Sequence, residues 1–198
     1  MVSRRNMLKT GLTAVFGACA VQTASASEVQ QKSQNNFDVV ILGAGTGGLV
    51  TAIEAADLGL KPVVLEKREC SAGSSLYASG GIAAWGTSQQ KEEGRNETKE
   101  SFREDMMKVS EYRADPALVG AYVNHIPEDF EWLKKQGVKF SKIGKKPWPL
   151  NYRMHNVDGQ GLTGGARLVR YLLEACEKRN IPIIYNTKAI ELLTNDAG

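Results

Sequence analysis

The stretch that decides the fold reads FDVVILGAGTGG and occupies residues 37–48. Its first half is a short apolar run rich in β-branched residues, which predicts a buried parallel strand. Its second half, residues 43–48, is a Gly-x-Gly-x-x-Gly turn that leads into a helical pattern ending at Gly59. A second apolar run, Pro62–Leu65, predicts the next strand. This order predicts an α/β fold with a parallel sheet and a dinucleotide-binding turn.

Each glycine of the turn has a physical role in such a fold. Gly43 permits the tight turn, Gly45 lets a pyrophosphate approach the backbone, and Gly48 lets the helix pack close to the strand. The helix N-terminus offers amide groups and a positive dipole end to the phosphates. Glu66 follows the second strand, where a carboxylate accepts hydrogen bonds from a ribose diol and repels a 2′-phosphate. The unit therefore favours FAD or NAD over NADP.

A second loop of small residues follows Glu66. Residues 70–81 read CSAGSSLYASGG, where a nicotinamide-dependent dehydrogenase would continue into its next helix. Backbone amides and hydroxyls in such a loop can press against a bulky planar ligand, which favours FAD. The alternative is a flexible surface loop, but partial burial is indicated by the apolar residues within and after it, namely Leu76, Tyr77, Ile82 and Trp85.

Residues 1–26 have the organisation of an export signal. Residues 3–9 read SRRNMLK, a mildly apolar stretch follows, and residues 24–26 read ASA, a small-residue cleavage site. The arginine pair resembles the twin-arginine signal, which predicts passage through the twin-arginine translocase to the periplasm. A lipoprotein signal with Cys19 as the acylated residue is the alternative. Residues 27–36 predict a polar leader.

Composition and charge exclude several functions. The net charge of +3 comes entirely from the basic residues of the signal, so the rest of the chain is neutral and predicts no nucleic-acid surface. No apolar run reaches the roughly 20 residues that a stable membrane span needs. Only two histidines are present, which disfavours a metal site. Cys70 and Cys176 do not form a disulfide framework.

Taken together, these motifs resemble a known family. Glu66-Lys67, GSS at residues 73–75 and SGGIAAW at residues 79–85 are similar to the flavoprotein subunits of fumarate reductases and succinate dehydrogenases, above all to their soluble exported relatives. The resemblance spans residues 37–198, and it continues through DPALV at 115–119, DFEWL at 129–133, GV at 137–138, RMH at 153–155, GG at 164–165, KRNI at 178–181 and NT at 186–187.

The resemblance implies a Rossmann-like FAD-binding domain of the glutathione-reductase type, with helices against a parallel sheet. It implies reduction of an unsaturated carboxylate such as fumarate or urocanate. Hydride would pass from reduced FAD to the substrate, an acid would supply the proton, and a cytochrome or another separate donor would supply the electrons.

The resemblance also implies roles for individual residues. Gly47 and Glu66 would meet the pyrophosphate and the adenosine ribose, and Gly80 would lie where the flavin meets the substrate carboxylate. Membrane-bound members attach FAD covalently to a histidine at the position of Ser74, so serine there implies noncovalent FAD. No catalytic residue is assigned, and the cofactor-binding set is Gly43, Gly45, Gly47, Gly48, Glu66, Lys67, Ser74, Ser75, Ser79, Gly80 and Gly81.

The remaining sequence is less decisive. Helices are predicted over about 98–109, from Pro116 with a kink or interruption at Pro127, and over 165–178, with short strands at 138–140, 181–185 and 189–193. Residues 86–100 predict a charged loop. Arg153 and His155 have two interpretations: they bind a substrate carboxylate or orient the flavin, or they hold a loop through salt bridges.

The strand at residues 189–193 lacks a returning partner, which is a poor way to end a domain. We therefore expect residues 37–198 to be the N-terminal part of an FAD-binding domain, with the rest of that domain and a capping domain following. On this expectation the chain alone is an inactive portion of the enzyme. Two alternatives stay open: a flavoenzyme similar to ketosteroid dehydrogenases, and a noncatalytic nucleotide-binding remnant.

Overall fold

The computed structural model describes residues 36–71, 73–145, 147–148, 152–159 and 163–193. The predicted signal and all but the last residue of the predicted leader lie outside these ranges. In chain order, the elements are β1 (Val39–Leu42), α1 (Thr46–Asp57), β2 (Pro62–Leu65), a 3₁₀ helix (Gly73–Tyr77), β3 (Gly81–Ala83), α2 (Ser88–Glu92), α3 (Lys99–Val109), α4 (Pro116–Lys135), β4 (Met154–Asn156), α5 (Gly164–Lys178) and β5 (Ile183–Ile184). Within the described ranges, no helix is long and apolar enough to cross a bilayer.

In the described part of the chain, the β-strands include a parallel sheet of three. Its order is β1-β2-β5, with Val40 paired to Val63 and Val64 paired to Ile183. β3 and β4 form a separate antiparallel pair. The predicted strand, glycine turn, helix and strand are all present, which confirms the α/β class with a parallel sheet.

Helices α1 and α5 pack against one face of this sheet. Their apolar side chains and those of the strands form one core, made of Ile41, Ala44, Leu49, Ala52, Ile53, Val64, Val169, Leu172, Ala175, Cys176 and Ile181. β1 differs from the fully buried strand that its composition predicts, because Val40 is 55% exposed and Leu42 is 56% exposed. Among the described residues, only one face of β1 is covered.

Helix α4 continues through Pro127, so of the predicted kink or interruption at this residue the interruption is wrong. Proline has no backbone N–H and leaves the carbonyl four residues earlier, that of Val123, without its helical partner. The indole N–H of Trp85 donates to this carbonyl at 2.8 Å. The helix therefore loses one internal hydrogen bond at Pro127, but the carbonyl is still satisfied.

The buried face of α4 also differs from the prediction. The spacing of apolar residues in the sequence predicts an inward face of Leu118, Tyr122, Phe130 and Leu133. Of these, Leu118 is 71% exposed and Tyr122 is 39% exposed in the structure. The inward residues are Val119, Val123, Ile126 and Phe130. The predicted helix start is confirmed, because the Asp115 carboxylate accepts a hydrogen bond from the Ala117 amide at 2.7 Å.

Three predicted strands are corrected. Residues 138–140 form no strand, and only Phe140 makes an isolated bridge, to Val157. The strand predicted at 181–185 is limited to β5. Residues 189–193 form no strand, and Ile190, Leu192 and Leu193 are exposed. A strand needs a partner for its backbone groups, and the described residues provide none there.

The predicted loop at residues 86–100 contains the short helix α2. Thr87 begins it with a reciprocal capping box, in which its side chain accepts from the Gln90 amide and the Gln90 side chain accepts from the Thr87 amide. Both residues are buried. A capping signal in a stretch rich in charged residues was therefore missed.

Candidate functional site

The glycine turn between β1 and α1 has the geometry that its sequence demands. Gly43 has a φ of +101°, a conformation that favours glycine, and its amide donates to the Leu65 carbonyl at 2.8 Å. A Cβ at Gly48 would lie 1.9 Å from the Gly43 carbonyl oxygen and 3.3 Å from Ile41 Cγ2. The helix thus approaches the strand too closely for any side chain at position 48.

The same turn leaves the N-terminus of α1 open. A Cβ at Gly45 or Gly47 would meet no described atom within 4 Å. Gly45 is the N-cap residue, no side chain caps the helix among the described residues, and its first turn contains no acidic residue. First-turn amides of a helix have no intrahelical acceptor, and the helix dipole adds a positive potential. This end of α1 can therefore receive an anionic group.

Glu66 lies directly beneath this turn. Its carboxylate accepts hydrogen bonds from the Ala44 amide at 2.8 Å and from the Arg68 amide at 2.9 Å, and the residue is buried. A carboxylate offers about four lone-pair directions, so two remain for a ligand. The strand order therefore brings the predicted acid to the glycine turn.

The Ala44 amide, followed by the Arg68 amide, holds the pKa of Glu66 below its ordinary value, against the opposing effect of burial. The carboxylate is therefore ionised at neutral pH. Because the folded pKa lies below the unfolded one, the two amide bonds stabilise the fold above the unfolded pKa. That stabilisation is lost as the pH falls through the folded pKa.

The segment after Glu66 is held against the segment after β5. The Asn186 amide donates to the Arg68 carbonyl at 3.0 Å, and the Thr187 amide donates to the Glu66 carbonyl at 2.9 Å. The Ser71 and Tyr185 hydroxyls lie 2.8 Å apart. Lys67 follows Glu66 in the chain and is exposed beside this clasp.

The loop of small residues contains the 3₁₀ helix and reaches the start of α1. Ser74 is exposed, whereas Ser75 is half-buried. The Thr46 hydroxyl donates to the Ser75 hydroxyl at 2.7 Å. The structure thus joins two motifs that are separate in the sequence, the glycine turn and the predicted flavin loop.

The same loop packs against the N-terminus of α5 through backbone contacts. A Cβ at Gly164 would lie 2.0 Å from the Ser79 carbonyl oxygen, and one at Gly165 would lie 2.0 Å from that of Ser75. Gly80 has a φ of +76°, and a Cβ there would lie 2.2 Å from the Gly164 carbonyl carbon. Three glycines therefore bring the loop and the helix into direct contact.

The N-termini of α1 and α5 consequently differ in what they offer a ligand. The Gly165 amide donates to the Ala78 carbonyl at 3.0 Å, and the Thr163 side chain caps α5 by accepting from the Ala166 amide. The first turn of α5 is therefore used by the protein itself. Of these two helix ends, α1 is the one that is free to bind phosphate.

The end of the loop leads into the antiparallel pair. Ser79 is exposed, Gly80 is buried, and Gly81 begins β3 opposite Asn156. The Val157 amide donates to the Gly80 carbonyl at 3.0 Å. The predicted flavin-lining residues thus lie on one continuous path from the start of α1 to β3.

Arg153 is held by salt bridges. Its side chain is buried and pairs with Glu97 at 2.7 Å and with Asp105 at 2.6 Å. These two carboxylates are mostly buried as well, so the three charges form a compact group beneath α3. Of the two interpretations of Arg153, the structure supports the salt-bridged one.

His155 is fully buried beside this group. Its Nδ1 lies 2.7 Å from the Arg153 carbonyl oxygen, and its Nε2 lies 2.9 Å from the Thr87 hydroxyl. Burial lowers the pKa of His155, which favours the neutral ring. Its contacts in the described part of the chain therefore connect β4 to α2 and give it a structural role.

Residues 38–198 match the protein family described as FAD binding domain. The chain belongs to this family. The predicted resemblance to FAD-binding flavoproteins is thereby confirmed, and the open helix end, the glycine turn and Glu66 lie within the matched residues.

Known relatives of the domain include reductases and dehydrogenases. A fumarate reductase (cytochrome) of Shewanella frigidimarina is 35% identical over 164 residues, which cover 83% of this chain and 28% of that protein. The structure of a 3-ketosteroid-Δ4-(5α)-dehydrogenase from Rhodococcus jostii RHA1 has a TM-score of 0.73 at 26% identity, covering 85% of this chain and 42% of the other. The open conformation of a flavocytochrome c3 fumarate reductase has a TM-score of 0.70 at 25% identity, covering 86% of this chain and 31% of that one. The chain thus spans less than half the length of each.

The residues present fit the adenosine diphosphate half of FAD. The open backbone at Gly45 and Gly47 leaves room for a pyrophosphate, and Glu66 retains acceptor capacity for two ribose hydroxyls. Sequence reasoning missed Thr46 as part of the site, although a hydroxyl inside a glycine turn is a visible signal. It noticed the pair Gly164-Gly165 without predicting its contact with the flavin loop.

Proposed function

We propose that this FAD-binding domain serves an enzyme that reduces an unsaturated carboxylate. One observation carries the proposal: the open N-terminus of α1, the ionised Glu66 carboxylate and the Ser75 hydroxyl all lie around one glycine turn. The identity of 35% to a fumarate reductase (cytochrome) supports the substrate class.

The parts of the site have distinct tasks in this proposal. Amides near Gly45 and Gly47 bind the pyrophosphate, and Glu66 accepts hydrogen bonds from the adenosine ribose, with Lys67 beside it. The flavin is lined by residues of the small-residue loop, namely Ser74, Ser75, Ser79, Gly80 and Gly81. When bound, FAD supplies the hydride chemistry. The backbone at Gly80 forms the rim that faces the substrate.

We propose that FAD is bound noncovalently. Ser74 stands where the membrane-bound members of the family carry the histidine that links to FAD, and a neutral serine hydroxyl does not form that bond. His155 is fully buried against Thr87, so it does not replace this histidine. Acid precipitation of the loaded protein is expected to leave the flavin in the supernatant, and flavin in the pellet would contradict the proposal.

The electrons are proposed to come from a cytochrome or another separate donor. The test of the proposed reaction replaces this donor with an artificial one. The natural gene product, loaded with FAD, is supplied with a reduced viologen dye and then with fumarate or with a 3-ketosteroid whose conjugated ring double bond can accept the hydride. Fumarate is expected to reoxidise the dye, with the rate saturating as its concentration rises. Reoxidation by the ketosteroid alone would favour the ketosteroid dehydrogenase alternative, and reoxidation by neither would contradict the proposed reaction.

We propose that the chain is exported to the periplasm by the twin-arginine translocase. Support comes from the arginine pair and the small-residue cleavage site in residues 1–26. Replacing Arg4 and Arg5 by lysine is expected to keep the protein in the cytoplasmic fraction. An unchanged periplasmic level in the double variant would contradict this pathway, and acylation at Cys19 would favour the lipoprotein alternative.

A further inference from the structure

We propose that Thr46 is a positioning residue that orients the Ser75 hydroxyl toward the flavin half of the cofactor. This inference rests on the proposed binding of FAD. Thr46 lies in the glycine turn but is not one of the three motif glycines. The role assigned to it belongs to its side-chain hydroxyl and not to a backbone amide that binds phosphate.

The first step is the contact itself. Thr46 follows the N-cap Gly45, at the start of α1, and Ser75 lies in the 3₁₀ helix of the flavin loop. The Thr46 Oγ1 donates to the Ser75 Oγ at 2.7 Å, an ordinary length for a hydroxyl pair. It is therefore a direct side-chain bridge between the phosphate-binding turn and the flavin loop.

The second step is that the Ser75 backbone is already fixed. Its carbonyl oxygen accepts a hydrogen bond from the Ala78 amide at 3.2 Å. The same oxygen lies against Gly165, where a Cβ would come within 2.0 Å of it. The main freedom left to Ser75 is rotation of its side chain, and the contact with Thr46 sets that rotation.

The third step concerns the direction of the protons. A serine hydroxyl has one proton to donate and two lone pairs that accept. Because the Ser75 oxygen accepts from Thr46, its own proton is left to donate elsewhere. No acceptor for it is recorded among the described residues. A hydroxyl that accepts one hydrogen bond becomes a stronger donor in the next, so the pair presents a polarised O–H group to an oxygen or nitrogen of the flavin.

The experiment compares two substitutions at position 46. Thr46→Val keeps the shape of the side chain and removes its hydroxyl, whereas Thr46→Ser keeps the hydroxyl. The dissociation constants of FAD and of ADP are measured for the unaltered protein and for both variants by titration calorimetry. ADP is the control ligand because it occupies the pyrophosphate and ribose contacts but lacks the flavin.

Thr46→Val is expected to raise the dissociation constant of FAD about threefold to tenfold, the usual range for one lost hydrogen bond. Its affinity for ADP is expected to stay within about twofold of the unaltered protein, and Thr46→Ser is expected to restore FAD binding. The visible absorption spectrum of the bound flavin is expected to shift in Thr46→Val and to return in Thr46→Ser.

Three results would overturn the inference. Equal FAD affinity in all three proteins would show that Thr46 does not act on Ser75, and an equal loss of FAD and ADP binding would show that it acts only on the helix end. If the unaltered protein binds ADP but not FAD, both this inference and the proposed cofactor fail. If the unaltered protein binds FAD normally and Thr46→Val binds it equally well, the positioning role alone is refuted and the proposed cofactor stands.

Discussion

Alanine at position 48 is expected to lower the free energy of unfolding by about 3 kcal/mol, the upper end of the usual cost of overpacking. The new Cβ would lie 1.9 Å from the carbonyl oxygen of Gly43. That oxygen belongs to the backbone of a turn whose own amide is bonded to Leu65, so it has little freedom to move away. The first turn of α1 would have to separate from β1, which would open the core where Ile41 lies.

The neighbouring glycine is the matched control. A Cβ at Gly47 meets nothing within 4 Å among the described residues, and alanine is the better helix former. Gly47→Ala is therefore expected to leave the stability unchanged or to raise it by up to about 1 kcal/mol. Urea unfolding followed by circular dichroism compares the two variants, and equal stability of the two would contradict this account of the turn.

The first part of the fold could be predicted because its signals are local. An apolar run, a glycine turn, a helical pattern and a second run follow one another between residues 37 and 65, and each identifies its own element. Glu66 was predicted for the same reason, since it directly follows β2, the strand that pairs with β1. The position of the acid beneath the turn then follows from the parallel register.

The errors arise where a distant residue decides the outcome. Pro127 lies inside a helix, and the Val123 carbonyl that it leaves without a helical partner accepts from the Trp85 indole. Trp85 is distant in sequence, so the local sequence of the helix contains no sign of this contact. The inward face of α4 is set by what packs against it rather than by apolar residues alone. Periodicity gives the spacing of a helical face, whereas its orientation is tertiary information.

The candidate site likewise has residues that the sequence predicts and contacts that depend on the fold. The glycines and the acid were found in the sequence, but the Thr46–Ser75 contact joins two loops whose approach depends on the packing of α5. The role of Arg153 was ambiguous for a similar reason, because its partners Glu97 and Asp105 are distant in sequence. An arginine at position 153 suggested a contact with a carboxylate. Only the fold distinguishes a substrate carboxylate from the carboxylates of the protein itself.

The second large effect is expected at Glu66. Glu66→Ala removes a charged acceptor of the proposed ribose contact, a loss of about 1–3 kcal/mol. This corresponds to a rise in the dissociation constant of FAD of roughly fivefold to 150-fold. The variant also leaves the buried Ala44 amide without its acceptor, which is expected to lower the free energy of unfolding by about 1–3 kcal/mol.

Two further variants separate binding from stability. Glu69 is an exposed carboxylate in the same loop, so Glu69→Ala is expected to change neither the stability nor the affinity for FAD. Glu66→Gln keeps the size of the side chain and one oxygen acceptor, so its free energy of unfolding is expected to exceed that of Glu66→Ala. Its affinity for FAD is still expected to be lower than that of the unaltered protein. All affinities are compared at a temperature where circular dichroism shows each protein to be folded.

The central claim is that Glu66 and the open end of α1 form the adenosine diphosphate site of a bound FAD. Its most direct test is a titration with FAD, followed by visible absorption and flavin fluorescence, of the unaltered protein, Glu66→Ala and Glu69→Ala. We predict saturable binding of one FAD by the unaltered protein, equal binding by Glu69→Ala, and clearly weaker binding by Glu66→Ala. Equal FAD affinity in the unaltered protein and in folded Glu66→Ala, or no saturable binding by the unaltered protein, would contradict the claim.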